Sequence, residues 1–325
     1  MEIPRRQFLG LAMAAIVVPT RVGAASTERY PIRSVRLISG FPPGAANDFA
    51  ARLIAKCLSE RLGQNFIVEN RPGAGSNMAT EAVVRATPDG YTLLMVATPN
   101  AINSALYEKL SFNFVRDITP VAAVMWVPNV MVVHPSIPAE TLPEFIAYAK
   151  ANPGKLMMAS PGNGSSGHVS GELFKMMTGV DLLHVPYRGG APALTDLIAG
   201  RVQLFFNPLP TMLGYINTGT VRALAVTAAR RSAVLPNVPT VGEFIPGYEA
   251  ITWFGIGAPS GTPAGIIDKL NSEINAGIRD PYVQARLAEQ GGTVMPGSPA
   301  DFAKLIADET EKWATVVRSV GVKIE

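Results

Sequence analysis

The 325-residue chain has one cysteine, Cys57, and three histidines. A single thiol excludes a disulfide framework and every multi-thiolate zinc or iron–sulfur site. Charged residues make up 16% of the chain, below the roughly 25% of an average globular protein, and no Lys/Arg-rich cluster occurs. With 28 basic and 25 acidic side chains the formal charge is +3, which leaves no electrostatic footprint for nucleic acid. Beyond the N-terminus no apolar run approaches the roughly 18 residues of a membrane span. There is no H-E-x-x-H, no G-x-S-x-G and no Cys/His cluster, so no metal site and no activated nucleophile is expected. What is abundant is apolar side chain (48%), glycine (30) and proline (27). That composition supports a packed core and excludes a disordered chain or a coiled coil.

The N-terminus reads as an address. Arg5-Arg6 precedes an apolar run from Phe8 to Val18, and Val22-Gly23-Ala24 offers a small-residue cleavage site. Those eleven apolar residues rise only about 16 Å as a helix, too short to span a bilayer. Residues 1–24 are therefore expected to be a signal peptide, cleaved near Ala24, that sends the protein to the periplasm. The Arg5-Arg6-x-Phe-Leu pattern fits a twin-arginine signal, and an ordinary secretory leader that happens to carry two arginines fits it too. Removing residues 1–24 takes Arg5, Arg6, Arg21 and Glu2, so the formal charge falls from +3 to +1.

The rest contains one pattern used twice. Val35–Ser39 reads as a strand, a Gly/Pro loop through Gly44 follows, and a helical periodicity runs from Asp48 to a stop at Gly63. Strand Phe66–Glu69, the turn Arg71-Pro-Gly73, a helix to about Ala86 and strand Tyr91–Ala97 complete the unit. From Leu156 the order recurs: strand to Ser160, loop Gly162–Gly167, helix His168–Thr178, stop Gly179, strand Leu182–Val185, turn Arg188-Gly-Gly190, helix Ala191–Ala199 and strand Val202–Phe206. The two stops lie 116 residues apart and the two arginines 117, which predicts two similar βαβαβ lobes. Val121–Val133 and Ala228–Pro236 are the candidate crossings between them. Helices are expected at about 263–278, 281–289 and 299–319. The fold class is thus α/β and bilobed. Lobe 1 comprises 25–127 and 229–325, and lobe 2 comprises 128–228, with a hinge and a cleft between them.

In such sheets ligands sit beyond the carboxyl ends of the strands, at the helix N-termini. Gly162-Asn-Gly164-Ser-Ser-Gly167 is literally a G-x-G-x-x-G string, but the next strand runs into Pro186-Tyr187-Arg188 and not into an acid that would hold a ribose. The physics that remains is an anion site of backbone N–H groups, with Ser165 and Ser166 as hydroxyl donors. His168 reads either as a ligand donor or as a local cap. Asp48 reads as a helix cap or as an acceptor facing the cleft. Tyr187 and Asn207, at strand ends, can reach the cleft. Cys57 falls on an apolar helix face, and His134 and His184 read as structural.

Five motifs in order then resemble one family. They are Phe41-Pro-Pro-Gly44…Asp48, Glu69-Asn-Arg71-Pro-Gly73, Pro88-Asp-Gly90-Tyr91, Gly162-Asn-Gly164-Ser…His168 and Val185-Pro-Tyr187-Arg188-Gly-Gly190. The family is the Bug (TctC-like) extracytoplasmic solute receptors of tripartite tricarboxylate transporters, and the likeness runs from about Tyr30 to the C-terminus. It implies a type II periplasmic-binding-protein fold and no enzymatic activity. It implies a monomer that needs no cofactor, carries a small carboxylate in its cleft and delivers it to membrane permease subunits; a sensing role without transport shares the same signature. Matching motifs carry the ligand contacts to Gly44, Ala45, Asp48, Ser165, Ser166, His168, Tyr187, Gly190, Ala191 and Asn207. Two positions depart from the pattern. Ala45 stands where a second glycine is usual, and Asn207 where Asp is common, which points toward a di-/tricarboxylate or aromatic carboxylate and away from an amino acid.

Overall fold

The computed structural model describes residues 29–320; the expected signal peptide lies outside the described residues. In chain order the first half is β1 (Val35–Ser39), α1 (Ala46–Leu62), β2 (Phe66–Asn70), α2 (Asn77–Val84), β3 (Thr92–Ala97), α3 (Thr98–Leu106) and the short α4 (Phe114–Asp117). The long strand β4 (Ile118–Val133) leads to α5 (Leu142–Ala151), β5 (Leu156–Ser160), α6 (Ser166–Thr178), β6 (Leu182–Pro186), α7 (Gly190–Ile198), β7 (Leu204–Pro208), α8 (Leu213–Asn217) and β8 (Arg222–Val226). The chain then returns through β9 (Ile251–Pro259) to α9 (Ala264–Ile278), α10 (Pro281–Ala288), β10 (Thr293–Val294) and α11 (Pro299–Val320).

The strand order is β2-β1-β3-β9-β4-β7-β5-β6, with β8 and β10 also pairing on β4. It is palindromic. β1 lies parallel between β2 and β3, as β5 lies parallel between β6 and β7. Each parallel trio is closed by one antiparallel strand, β9 beside β3 and β4 beside β7. The repeat read from the sequence is thus a repeat of strand order. Both helices that follow the glycine loops end on left-handed glycines, Gly63 at φ 68° and Gly179 at φ 69°, each placed where a side chain would be strained.

β4 changes partners along its length: Ile118–Pro128 pair with β9, and Asn129–Val133 pair with β7. The switch falls at Pro128, which has no N–H to give the ladder. In the first half a core gathers around Ile38, Val83, Leu94, Trp253, Phe302 and Ile306. In the second, among the described residues, one gathers around Phe174, Phe206 and Met158 and another around Leu194, Phe205 and Val226. α11 serves both halves. Its Phe302 and Ile306 pack in the first core, and its Trp313, Val316 and Val317 pack in the second.

Two expectations change here. Ala228–Pro236 forms no strand; the second strand between the halves is β9, after Ala250. The chain between β8 and β9 stays with the second half, because Val234, Leu235 and Val238 pack on one of its cores and Val241, Ile245 and Tyr248 on the other. The sequence reading placed this stretch with the first lobe. Its apolar residues are scattered among Pro and Gly without helical or strand period, so periodicity could not say which core they join. Among the described residues no helix is long and apolar enough to cross a membrane.

Candidate functional site

Three helix N-termini meet at one cavity of about 480 Å³. Pro42 to Asn47, at the start of α1, form one wall. Pro161, Ser165 and Ser166, at the start of α6, form a second. Arg188 to Pro192, at the start of α7, form a third. Each helix follows a parallel strand, so the cavity lies beyond the carboxyl ends of both halves of the sheet. Ala97, Pro99, Phe41 and Phe254 add apolar surface, with Asn207, Thr211, Tyr215 and Thr252 the remaining polar side chains. Arg188 is the sole charged side chain among the described lining residues, and it is exposed.

The first amides of a helix have no acceptor within it. Among the described residues the N–H groups of Ala46, Asn47, Ser166, Gly190 and Ala191 bond nothing else, so five backbone donors are left for whatever fills the cavity. Helix dipoles put partial positive charge at the same points. The close seating of α6 is a matter of glycine: a Cβ on Gly167 would stand 2.1 Å from the Phe206 carbonyl oxygen of β7. Ala45, which replaces an expected glycine, sits at φ −69°, so its methyl costs no strain; the left-handed residue is Gly44 at φ 83°.

Of the ten residues carried over from sequence, seven line the cavity: Gly44, Ala45, Ser165, Ser166, Gly190, Ala191 and Asn207. The other three stand behind its walls. Asp48 accepts from the Gly44 N–H (3.0 Å), Arg52 Nε (3.0 Å) and Asn70 Nδ2 (2.8 Å). Burial alone would raise its pKa, but these hydrogen bonds and the Arg52 charge hold its carboxyl below the usual range. It is a brace for the first loop. Tyr187 donates its hydroxyl to Asp196 at 2.8 Å, and burial with that bond pushes its phenol up to about 12.

His168 is nearly fully buried. Its Nδ1 accepts the Gly164 N–H at 3.2 Å, which places the ring proton on Nε2, 3.9 Å from Glu172 Oε1. Its ring stacks on His184, with centroids 4.1 Å apart and planes 21° from parallel. Burial first, then His184 and Lys175, push His168 down to about 3; burial and Lys175 push His184 down to about 4. Both rings are neutral at ordinary pH. His168, Glu172 and His184 do bring possible metal ligands within 4.8 Å of one another. They do not fit an ion. The lone pair on His168 Nδ1 is already used, its Nε2 holds a proton, and His184 Nε2 is paired with Ser160 Oγ at 2.6 Å.

The hydroxyls differ from the expected arrangement. Ser165 caps α6: it accepts from the His168 N–H and spends its proton on the Gly162 carbonyl at 2.7 Å. Ser166 donates to Asn129 Oδ1 at 3.3 Å. Asn129 itself was not anticipated. It is fully buried where β4 changes partners, and it joins Ser166 and Ser170 of α6 to Thr252 of β9 and Thr227 after β8. A signal existed, since Asn129 is the one hydrogen-bonding amide in the apolar run Val121–Val133. Thr252, Phe254 and Thr211 carried none.

The family model described as the tripartite tricarboxylate transporter family receptor, TctC, matches residues 50–322. Protein BugT of Bordetella pertussis is 38% identical over 320 residues, covering 97% of this chain and 98% of its own. Among solved structures, an R. palustris protein with adipate is 38% identical with a TM-score of 0.86, covering 90% of this chain and 99% of its own. The periplasmic binding protein BugD is 32% identical with a TM-score of 0.84, covering 91% and 100%. MatC from Rhodopseudomonas palustris, with bound malate, is 32% identical with a TM-score of 0.82, covering 89% and 100%. The fold is thus shared with these solved relatives, and this chain belongs to the TctC (Bug) family of tripartite tricarboxylate transporter receptors.

Proposed function

We propose that this protein is a periplasmic receptor, not an enzyme, that captures a small carboxylate between two lobes and delivers it to the permease subunits of a tripartite tricarboxylate transporter. The observation that carries the reading is the meeting of α1, α6 and α7 N-termini on one cavity with five uncommitted backbone N–H groups. Charge-assisted hydrogen bonds contribute roughly 1.5–3 kcal/mol each. Three or four of them, after association costs, suit a micromolar complex of about −8 kcal/mol. The apolar walls from Phe41, Pro99 and Phe254 suit a carbon skeleton, and the relatives solved with adipate and malate favour a dicarboxylate.

In this reading Gly44, Ala45, Ser165, Ser166, Gly190, Ala191 and Asn207 touch the ligand. Asp48, His168 and Tyr187 hold the loops that do. The lobes hinge where β4 and β9 run between the halves, and the protein acts as a monomer. Calorimetry against di-, tri- and aromatic carboxylates should find at least one micromolar ligand, recovered unchanged. A panel without binding, or turnover of the ligand, would refute the receptor. Loss of uptake of that ligand in a deletion strain tests delivery; undiminished uptake would refute it.

A further inference from the structure

Asn129 is fully buried at the residue where β4 leaves β9 for β7, and it stands behind the cavity lining. Its main chain is tied to both neighbouring segments. Thr227, after β8, accepts the Asn129 N–H at 2.9 Å and gives its own N–H to the Asn129 carbonyl at 2.9 Å. The Thr227 hydroxyl reaches on to the Ala250 carbonyl at 2.5 Å, just before β9. The side-chain amide has one orientation. Ser170 Oγ donates to the Ser166 carbonyl at 2.7 Å, so toward Asn129 it can only accept, and the Asn129 atom 2.9 Å away is Nδ2. Oδ1 therefore faces the hydroxyls of Ser166 and Thr252 and takes a proton from each, at 3.3 and 2.9 Å. Ser166 opens α6, Thr252 belongs to β9, and both line the cavity. One buried amide thus joins the N-terminus of a cavity-facing helix to the two strands that run between the halves.

We infer that Asn129 is a positioning residue for the cleft: it touches no ligand, and it fixes the first turn of α6 against β4 and β9 through Ser166 and Thr252. This rests on the carboxylate-receptor reading and deepens it. Lobe closure is absorbed by a few residues at the hinge, and here those strands carry the amide that holds α6. A buried polar network resists losing one bond at a time, because each unpaired group costs its full desolvation penalty. The Ser166 N–H, one of the donors left for the cavity, is therefore seated by the same contact that follows the strand angle. Seating of this kind is what a binding group needs from the residues behind it. A residue that served stability alone would leave affinity untouched when replaced.

A positioning residue acts through its contacts, so the test is a double-mutant cycle read by calorimetry. Adipate, malate, citrate and benzoate are the probes, and the one the parent protein binds most tightly is carried through the cycle. Asn129→Leu should weaken that probe at least about tenfold in the parent. In a Ser166→Ala, Thr252→Val background, where both contacts are already gone, the same change should cost less than about threefold. A lowered melting temperature with parental affinity would make Asn129 structural only, and would overturn the inference while leaving the receptor reading intact. Equal losses in the two backgrounds would also overturn it, since Asn129 would then act by another route. No binding of any probe by the parent would overturn both. If Asn129→Leu does not fold, Ser166→Ala and Thr252→Val are compared singly and together in urea unfolding without a probe. Each alone leaves Oδ1 one donor, so the pair should lower the folding equilibrium constant at least about threefold beyond the product of the single effects. Strictly additive effects would overturn the link through Asn129.

Discussion

Acidification should destabilise this fold well before its carboxylates titrate. His168 and His184 are held neutral, with pKa values pushed down to about 3 and about 4, against an ordinary value near 6.5 in the unfolded chain. Between these limits the unfolded state binds protons that the native state refuses, so stability falls as pH falls through 6.5. At pH 5.5 each ring costs about 1.4 kcal/mol relative to neutral solution, and the stacked pair together about 3 kcal/mol. Carboxylates do not confuse this window. Asp117 and Glu243, lowered to about 2 by their arginine partners Arg116 and Arg231, contribute stability that is lost only below the unfolded carboxylate range. Urea unfolding at pH 7.5, 6.5 and 5.5 measures the loss directly. His168→Asn, whose amide oxygen can still accept from Gly164, should reduce the loss by about half. A parent protein that changes by less than about 0.5 kcal/mol across this range, or a variant with the parent's full loss, would refute the assignment of buried neutral rings.

Two further outcomes follow from the packing. Gly167→Ala places a methyl 2.1 Å from the Phe206 carbonyl, so α6 must shift off β7; we expect about 1–3 kcal/mol of lost stability in thermal unfolding and at least tenfold weaker carboxylate binding by calorimetry. Unaltered affinity would show that the α6 N-terminus is not part of the site. Glu309 accepts from the indole N–H groups of Trp253 (3.0 Å) and Trp313 (2.8 Å), one in each half's core. Glu309→Leu should leave two buried donors unpaired and cost roughly 2–5 kcal/mol in urea unfolding, with Glu309→Gln recovering most of it. Equal stability of the two variants would argue against that bridge.

The parts of the fold legible in the sequence were those with a local cause. Gly63 and Gly179 stop helices through backbone conformation, and alternating glycine loops and apolar runs mark each βαβαβ unit, so the repeat could be read without any contact information. α3 was not legible. Residues 98–106 carry no element in the sequence reading, and they become helix because Asn100 caps the segment from within through the Ala97 N–H while Ile102 and Leu106 find the second half's core. The return strand β9 was missed for a related reason. Its Gly255 and Gly257 weaken the strand pattern, yet a Cβ at Gly255 would meet the Phe302 ring at 2.2 Å, so the glycine is demanded by a helix that lies some 45 residues further along.

The site divides along the same line. Which loops meet was readable, because strand order and helix starts put Gly44, Ser165 and Gly190 at one end of the sheet. Which way the hydrogen bonds run was not. From sequence, Ser165, Ser166 and Asn207 are side chains able to donate; in the fold, Gly162, Asn129 and Thr211 take those protons away from the cavity. A hydroxyl or amide is ambivalent until its neighbours are fixed, and the neighbours come from β4, β9 and the segment after β7, distant in sequence. The five backbone donors have no such ambiguity, since a helix N-terminus can only donate. In the proposed function, that asymmetry lets a chain with a formal charge of only +3 hold an anion. Attraction then falls to the backbone amides of the three helix starts, which no side-chain substitution removes.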